Sequence, residues 1–360
     1  MSVAALAIEE VARGLRAGGP VVPRAGGTKT ALTRVPAGAR VLDVSSLRGI
    51  LEYRPEELTF TALAGTPVAE VASALGEHGQ HLPFDPLLVD AGATLGGTVA
   101  SGAAGPGSYR HGGVRDYILG VRMLDGTGRM VRGGGKVVKN AAGFDLPKLV
   151  VGSIGRLGVL VELTFKVFPR PSATRTLLAD LATLDAALDA VTRIALGPLE
   201  VEAVELEPPG RLWLRLAGPP ATLEARSARL AESLGVACTP LDGDGEAEAW
   251  RIARELTWRD PQAALVKISV GRSQVAALDS VLAQAGAQRR YGARVAWVGW
   301  PGEQSLALLD VELGRLGLAG IVLLAADHAE HGPLLGRRDG GAFAARVRRA
   351  LDPDDRFLEV

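Results

Sequence analysis

The chain has 360 residues, and its 40 Lys plus Arg balance 40 Asp plus Glu, so the formal net charge is zero. At roughly 100–200 residues per domain this length predicts two or three domains, and neutrality argues against a nucleic-acid binder, which needs a basic patch or stripe. The single cysteine, Cys238, excludes a disulfide scaffold and any iron–sulfur cluster or cysteine-rich zinc site ligated within the chain.

Residues 3–17 read as a short amphipathic helix that Ala17-Gly18-Gly19-Pro20 ends. It reaches Glu9 and Glu10 early and lacks the basic start and apolar run of a signal peptide. No run of 18 apolar, uncharged residues occurs either, so the expectation is a soluble, cytoplasmic protein. Val21-Val22-Pro23 reads as a buried strand running into the turn Arg24-Ala25-Gly26-Gly27-Thr28-Lys29. Val41–Val44 is a second strand, and Leu58–Leu63 alternates as a third. Residues 67–78 form a helix, with Gly65 or Thr66 as its cap and Pro67 in the first turn. After a glycine-rich stretch, Tyr117–Leu124 and Leu157–Phe168 are strands, and Pro169-Arg170-Pro171 marks a boundary.

Beyond 171 the pattern changes. Strand 174–180, helix 183–196, strands 200–206 and 211–216, helix 220–234 and a closing strand at 236–238 give the βαββαβ order of a ferredoxin-like split motif. A helix at 246–257 follows. The same order then recurs: strand 263–270, helix 273–285, strands 288–291 and 293–299, helix 303–317 and strand 320–324. Residues 326–342 read as a loop, 343–351 as a short helix and 352–360 as irregular.

Glycine is concentrated: 18 of the 46 lie between 92 and 158, which predicts backbone in special conformations or backbone approached closely by something else. Four segments are candidates. In Pro23–Lys29, consecutive glycines after a strand can expose successive N–H groups to phosphate oxygens, or simply make a tight turn; the spacing is neither Walker A nor G-x-G-x-x-G. In Ala93–Gly102 the small residues let a ligand lie against the main chain, or a helix lie against a sheet. Arg115-Asp116 before Tyr117 reads as an ion pair anchoring a strand. Lys139–Leu146 and then Gly152, Gly155 and Gly158 could offer backbone to the edge of an adenine.

Taken in order, these segments resemble the FAD-binding domain of the vanillyl-alcohol oxidase superfamily (PCMH type) over roughly residues 1–170. Within it, Lys139–Leu146, Leu42-Asp43-Val44, Asp327-His328-Ala329 and Asp339–Phe343 are similar to the FAD-binding E-subunit family (GlcE type) of bacterial glycolate oxidase. The resemblance implies an α+β chain: a two-lobed PCMH-type FAD-binding domain at 1–170, an α+β cap of ferredoxin-like units at 171–325, and a C-terminal segment, 326–360, that returns to the FAD domain. It implies that Pro23, Arg24, Ala25, Gly26, Gly27, Thr28 and Lys29 wrap the pyrophosphate. Ala93, Thr94, Gly96, Gly97, Ala100, Ser101 and Gly102 would line the ribityl and flavin, with Gly113 and Val114 near the ring, Lys139 nearby, and Val159 meeting the adenine through its main chain.

This sequence departs from the family pattern in places. Ala25 stands in a slot often held by glycine, Ile154 and Arg156 replace Glu and Thr, Phe144 replaces a frequent tyrosine, and the C-terminal Asn-Pro-Gly is missing. No His or Cys sits in a recognisable attachment motif, so the FAD is expected to be non-covalent. Oxidising a 2-hydroxy acid also needs a cation for the carboxylate and a base for the hydroxyl; His328, Arg338 and Arg294 are the candidates, with no metal. Partners implied are a flavin-containing catalytic subunit (D type) and an iron–sulfur subunit (F type), with the complex peripheral to the inner membrane. The alternatives are a free-standing FAD oxidoreductase of another small hydroxy acid and a non-catalytic flavin-binding assembly subunit.

Overall fold

The structure, a computed structural model, describes residues 2–135, 145–325, 332–338 and 340–358. The chain divides into two units: Met1–Ala104, Gly113–Pro169 and Asp339–Val360 make the first, and Gly105–Gly112 with Arg170–Arg338 makes the second.

In the first unit the helix Val3–Arg16 starts at Ser2, whose hydroxyl accepts from the Ala5 N–H. Ala7, Val11, Ala12 and Leu15 recur on one face and are buried against Val21, Leu42, Val44 and Leu47. Beside this helix lies the parallel pair Val21–Arg24 and Arg40–Asp43. The tail, read from sequence as irregular, is pinned here. Phe357 is 1 % exposed in the same cluster and bridges Val21, while the Asp352 carboxylate accepts from the N–H groups of Arg356 and Phe357 at 2.8 Å each.

An antiparallel five-stranded sheet forms the rest of this unit, in the order Ile50–Arg54, Thr59–Leu63, Val159–Lys166, Ile118–Leu124, Met130–Gly134. Its three inner strands are those expected from the sequence. The two edge strands were not expected. Ile50–Arg54 carries an exposed Leu51 and two charged residues, and Met130–Gly134 ends in two glycines, so neither shows an apolar alternation. The helix Val68–Gly76 and the short helix Leu95–Ser101 complete the unit's framework.

The second unit is built on one nine-stranded sheet. One βαββαβ repeat supplies Cys238–Leu241, Ala173–Asp180, Arg211–Gly218 and Ala203–Glu207, in spatial order. The second supplies Gln288–Gly292, Val295–Trp300, Ala264–Ser269 and Ala319–Leu324. The repeats join where Leu206 pairs antiparallel with Tyr291. A further edge strand, Leu334–Gly336, lies in the stretch read as loop; three residues are too few to show a period. The helix Gly243–Glu255 packs beside the first repeat, its Glu246 held by Arg215 at 2.7 Å and by Thr174 and Thr176. The α+β class with ferredoxin-like repeats is therefore the observed one. Among the described residues no helix is long and apolar enough to cross a membrane.

Candidate cofactor site

The strand Val21–Arg24 delivers the chain into the turn at 25–29, and the Val44 N–H bonds the Arg24 carbonyl at 2.9 Å to hold its start. Gly26 and Gly27 serve different ends. Gly27 adopts φ +63°, which favours glycine, whereas a Cβ on Gly26 would run into the Gly92 carbonyl oxygen. Ala25 is not among the residues with positive φ, so it carries a methyl in this turn without backbone strain. The N–H groups of Gly26, Gly27 and Thr28 donate to no acceptor among the described residues. Beside the turn, the Ser45 N–H bonds Asp43 at 2.9 Å and, with nearby Arg24, holds the Asp43 carboxyl below its usual range.

Opposite the turn stands the helix Leu95–Ser101. Thr94 caps it, its hydroxyl accepting from Gly97 N–H at 3.3 Å. Gly96 lies so close to Ala64 that a Cβ would sit 2.9 Å from the Ala64 oxygen, and its N–H bonds that oxygen at 2.7 Å. Gly96 therefore packs against the sheet, while Gly97, Ala100 and Ser101 line the space between helix and turn, the Ser101 hydroxyl donating to the Gly97 carbonyl at 2.8 Å. The run Ser153–Leu160 closes the third side, its Ile154 N–H bonding the Ala100 carbonyl at 2.8 Å.

Together these segments enclose a cleft of about 780 Å³, counted to its open mouth. Pro23, Arg24, Ala25, Gly26, Gly27, Thr28, Lys29, Thr94, Gly96, Gly97, Ala100, Ser101 and Val159, all singled out from sequence, line it. Four others do not. Ala93 is buried and accepts from Val68 N–H, Gly102 ends the helix at φ +56°, Gly113 donates its N–H to Asp116, and Val114 is buried. Lys139 lies outside the described residues. The sequence reading missed Leu32, Thr33, Val44, Ala64 and Leu160, ordinary apolar and polar residues whose approach to the cleft depends on tertiary packing.

Of the catalytic candidates, Arg294 is an exposed residue at φ +65° in the hairpin turn 293–294, and Arg338 is exposed with its guanidinium on the Leu334 carbonyl. Both belong to the second unit and neither lines the cleft. His328 lies outside the described residues. Among the described residues no group of three or more His, Cys, Asp or Glu is placed to hold a metal ion.

The turn, whose Gly26, Gly27 and Thr28 N–H groups meet no acceptor among the described residues, and the wall of small residues at Gly96, Gly97 and Ala100 fit a dinucleotide held by its phosphates. Residues 6–134 match the FAD binding domain family. This part of the chain is an FAD-binding domain. The cofactor is accordingly FAD. The chain is 40 % identical over 218 residues to glycolate oxidase subunit GlcE of Escherichia coli (strain K12), covering 61 % of each. It is 35 % identical over 176 residues to glycolate oxidase subunit GlcD of Bacillus subtilis (strain 168), covering 49 % of this chain and 37 % of the other. It is 30 % identical over 233 residues to a D-lactate dehydrogenase of Archaeoglobus fulgidus, covering 60 % and 52 %. The chain thus spans less than two thirds of the length of each of these relatives. Among solved structures, alkyldihydroxyacetonephosphate synthase superposes with a TM-score of 0.70 at 16 % identity, over 96 % of this chain and 73 % of the other; that likeness concerns the fold.

Proposed function

We propose that this chain is the FAD-binding subunit of a glycolate-oxidase-type enzyme, oxidising a small 2-hydroxy acid to the 2-oxo acid or relaying its electrons. The observation that carries the reading is the convergence of the 24–29 turn, the 94–101 segment and Val159 on one cleft of an FAD-binding domain whose chain is 40 % identical to a GlcE subunit. The proposed organisation is an FAD domain at 1–170 and a cap from 171 that keeps the strand Leu334–Gly336, with the C-terminal segment from about 339 returning to the FAD domain.

In this reading the free N–H groups of Gly26, Gly27 and Thr28 hold the pyrophosphate, which explains why a neutral chain can bind a dianionic linker without a basic surface. Gly97, Ala100 and Ser101 leave the other wall low enough for the ribityl and ring to lie on it, and the main chain at Val159 meets the adenine. FAD, when bound, supplies the acceptor for the substrate's hydride. The chain's residues position it and limit access of water. Non-covalent attachment is supported by the described histidines. His78 packs edge-on against Tyr53, His81 pairs in a strand with Phe168, and His111 bonds Glu202 at 2.7 Å; none lines the cleft. Cys238 is in the second unit, and burial pushes its thiol up.

Electrons leaving such a flavin need an acceptor. With one cysteine here, any iron–sulfur cluster must be ligated by a partner chain, so we place this subunit with a second flavin subunit and an iron–sulfur subunit, in the cytoplasm and peripheral to the inner membrane. The test is Gly97→Leu, which fills the cleft wall. Purified variant should lose its flavin absorbance while expressing at the wild-type level. Retention of stoichiometric FAD would refute the cleft as the flavin site.

A further inference from the structure

A short stretch of chain changes units. The first unit breaks off at Ala104 and resumes at Gly113, and Gly105–Gly112 between them belongs to the second. The outer part of this strap, Ser108–His111, is a single helical turn that packs beside the strand Ala203–Glu207. The N–H groups of Ser108, Tyr109, Arg110, His111 and Gly112 all donate to carbonyls of the strap itself. The Ser108 hydroxyl does the same, donating to the Gly105 carbonyl at 2.6 Å. Gly112 then turns the chain back at φ +82°, which favours glycine.

With those donors used internally, the turn is fastened by side chains. Arg110 meets Glu200 at 2.7 Å, and His111 Nε2 lies 2.7 Å from Glu202 Oε1. The second pair is half-buried, with 19 % of the His111 and 18 % of the Glu202 side chain open to water. Both acids are presented by fixed backbone. The Glu202 N–H bonds the Arg215 carbonyl at 2.7 Å, and the Arg226 guanidinium donates to the Glu200 carbonyl at 2.6 Å.

The two pairs answer pH differently. Arg110 stays charged throughout. Its hydrogen bond, with Arg226 adding, holds the Glu200 carboxyl below the usual range. Burial raises the Tyr109 hydroxyl, which therefore stays neutral. Histidine is the side chain whose charge ordinarily changes between about pH 5 and 8. As imidazolium, His111 forms an ion pair with Glu202; as imidazole, the same contact is a weaker hydrogen bond with one charged partner. Docking is therefore stronger at low pH. Of the other charges on these strands, the Arg215 guanidinium is committed to Glu246. Glu205, which burial raises to about 7, lies three residues further along, across from Trp213.

The strap bears on the cleft through what precedes it. The wall helix Leu95–Ser101 ends four residues before Gly105, and Ser101 both lines the cleft and accepts the Ala103 N–H at 3.4 Å. A docked strap fixes the exit of that helix, and a released one lets it fray. We propose that Gly105–Gly112 is a pH-sensitive strap: protonated His111 fastens it to Glu202, and its release as pH rises loosens the end of the cofactor wall. The strap itself does not depend on the cofactor reading, whereas its effect on FAD rests on the cleft being the flavin site.

The test is hydrogen exchange of the full-length, FAD-loaded protein, read by mass spectrometry on peptides covering 108–112 and corrected for the intrinsic pH dependence of amide exchange. FAD release on dilution is followed in parallel. Between about pH 5.5 and 8, protection of the wild-type strap should fall about fivefold, and FAD release should quicken with it. His111→Gln should show the low protection at both pH values. His111→Arg, whose charge does not titrate, should show the high one at both. Arg110→Gln should lower protection throughout and keep the pH dependence. Peptides from the helix Pro220–Leu234 report whether each variant is folded. Wild-type protection that is equal at the two pH values, or a pH dependence that survives in His111→Gln, would overturn the strap. Strap protection that follows pH while FAD release does not would overturn its link to the cleft. Gly97→Leu that keeps its FAD, with strap protection still following His111, would sink the cleft as the flavin site and uphold the strap.

Discussion

Gly26 has no room for a side chain, because its Cβ position is occupied by the Gly92 carbonyl, and Gly27 needs φ +63°. Gly26→Ala should therefore part the 24–29 turn from Gly92 and raise the FAD dissociation constant about tenfold, since roughly 1.4 kcal/mol is enough for that change; fluorescence of released flavin on dilution measures it. Glu205 gives a second residue-scale expectation. Its carboxyl is raised from 4.5 to about 7 in the folded state. The stability it contributes is present below pH 4.5 and is lost as pH rises through about 7. Glu205→Gln should match the wild type in denaturant near pH 4.5 and exceed it at pH 8 by up to about 3 kcal/mol. Equal stabilities at pH 8 would show that Glu205 is not buried as an acid. The turn at 24–29 was legible because its chemistry is local: two glycines and a threonine after a strand. Glu205 and Arg290 were not. They meet only through the pairing of Leu206 with Tyr291, across 84 residues of intervening chain, and Arg294 four residues away looks no different in sequence.

At the scale of elements, the helix Leu95–Ser101 depends on its ends. Thr94 satisfies an N–H at the start, and Gly102 turns left-handed at the finish. Thr94→Ala should cost about 1 kcal/mol and weaken FAD retention, because the same helix forms one wall of the cleft. Thermal unfolding with and without added FAD checks both parts. An unchanged melting temperature with wild-type FAD content would show that the cap does not set this wall. The strands that sequence revealed are inner ones such as Thr59–Leu63 and Val159–Lys166, buried on both faces or strongly alternating. The strands it concealed, Ile50–Arg54, Met130–Gly134 and Leu334–Gly336, are all at sheet edges. An edge strand is solvated along one side and can be short, charged or glycine-rich, so it carries little of the pattern by which strands are recognised.

Across the whole molecule, the order of elements was the legible part, because each βαββαβ repeat writes its helices and strands with their own periods. Which segments of chain share a core was less so. Gly105–Gly112 groups with the second unit, and Phe357 enters the core of the first through the Val21 bridge. A tail of Asp, Arg and one Phe gives no hint of this until Asp352 is seen to cap it. Phe357→Ala should destabilise the first unit by about 3–5 kcal/mol and release FAD at a lower temperature. A melting profile equal to wild type would remove the tail from the core. The most direct test of the account is an anaerobic visible spectrum of the purified protein before and after glycolate. The account predicts the absorbance of bound, acid-extractable FAD, and its bleaching by glycolate or a related 2-hydroxy acid. Protein that carries no flavin, or whose flavin no 2-hydroxy acid reduces even with its partner subunits present, would contradict it.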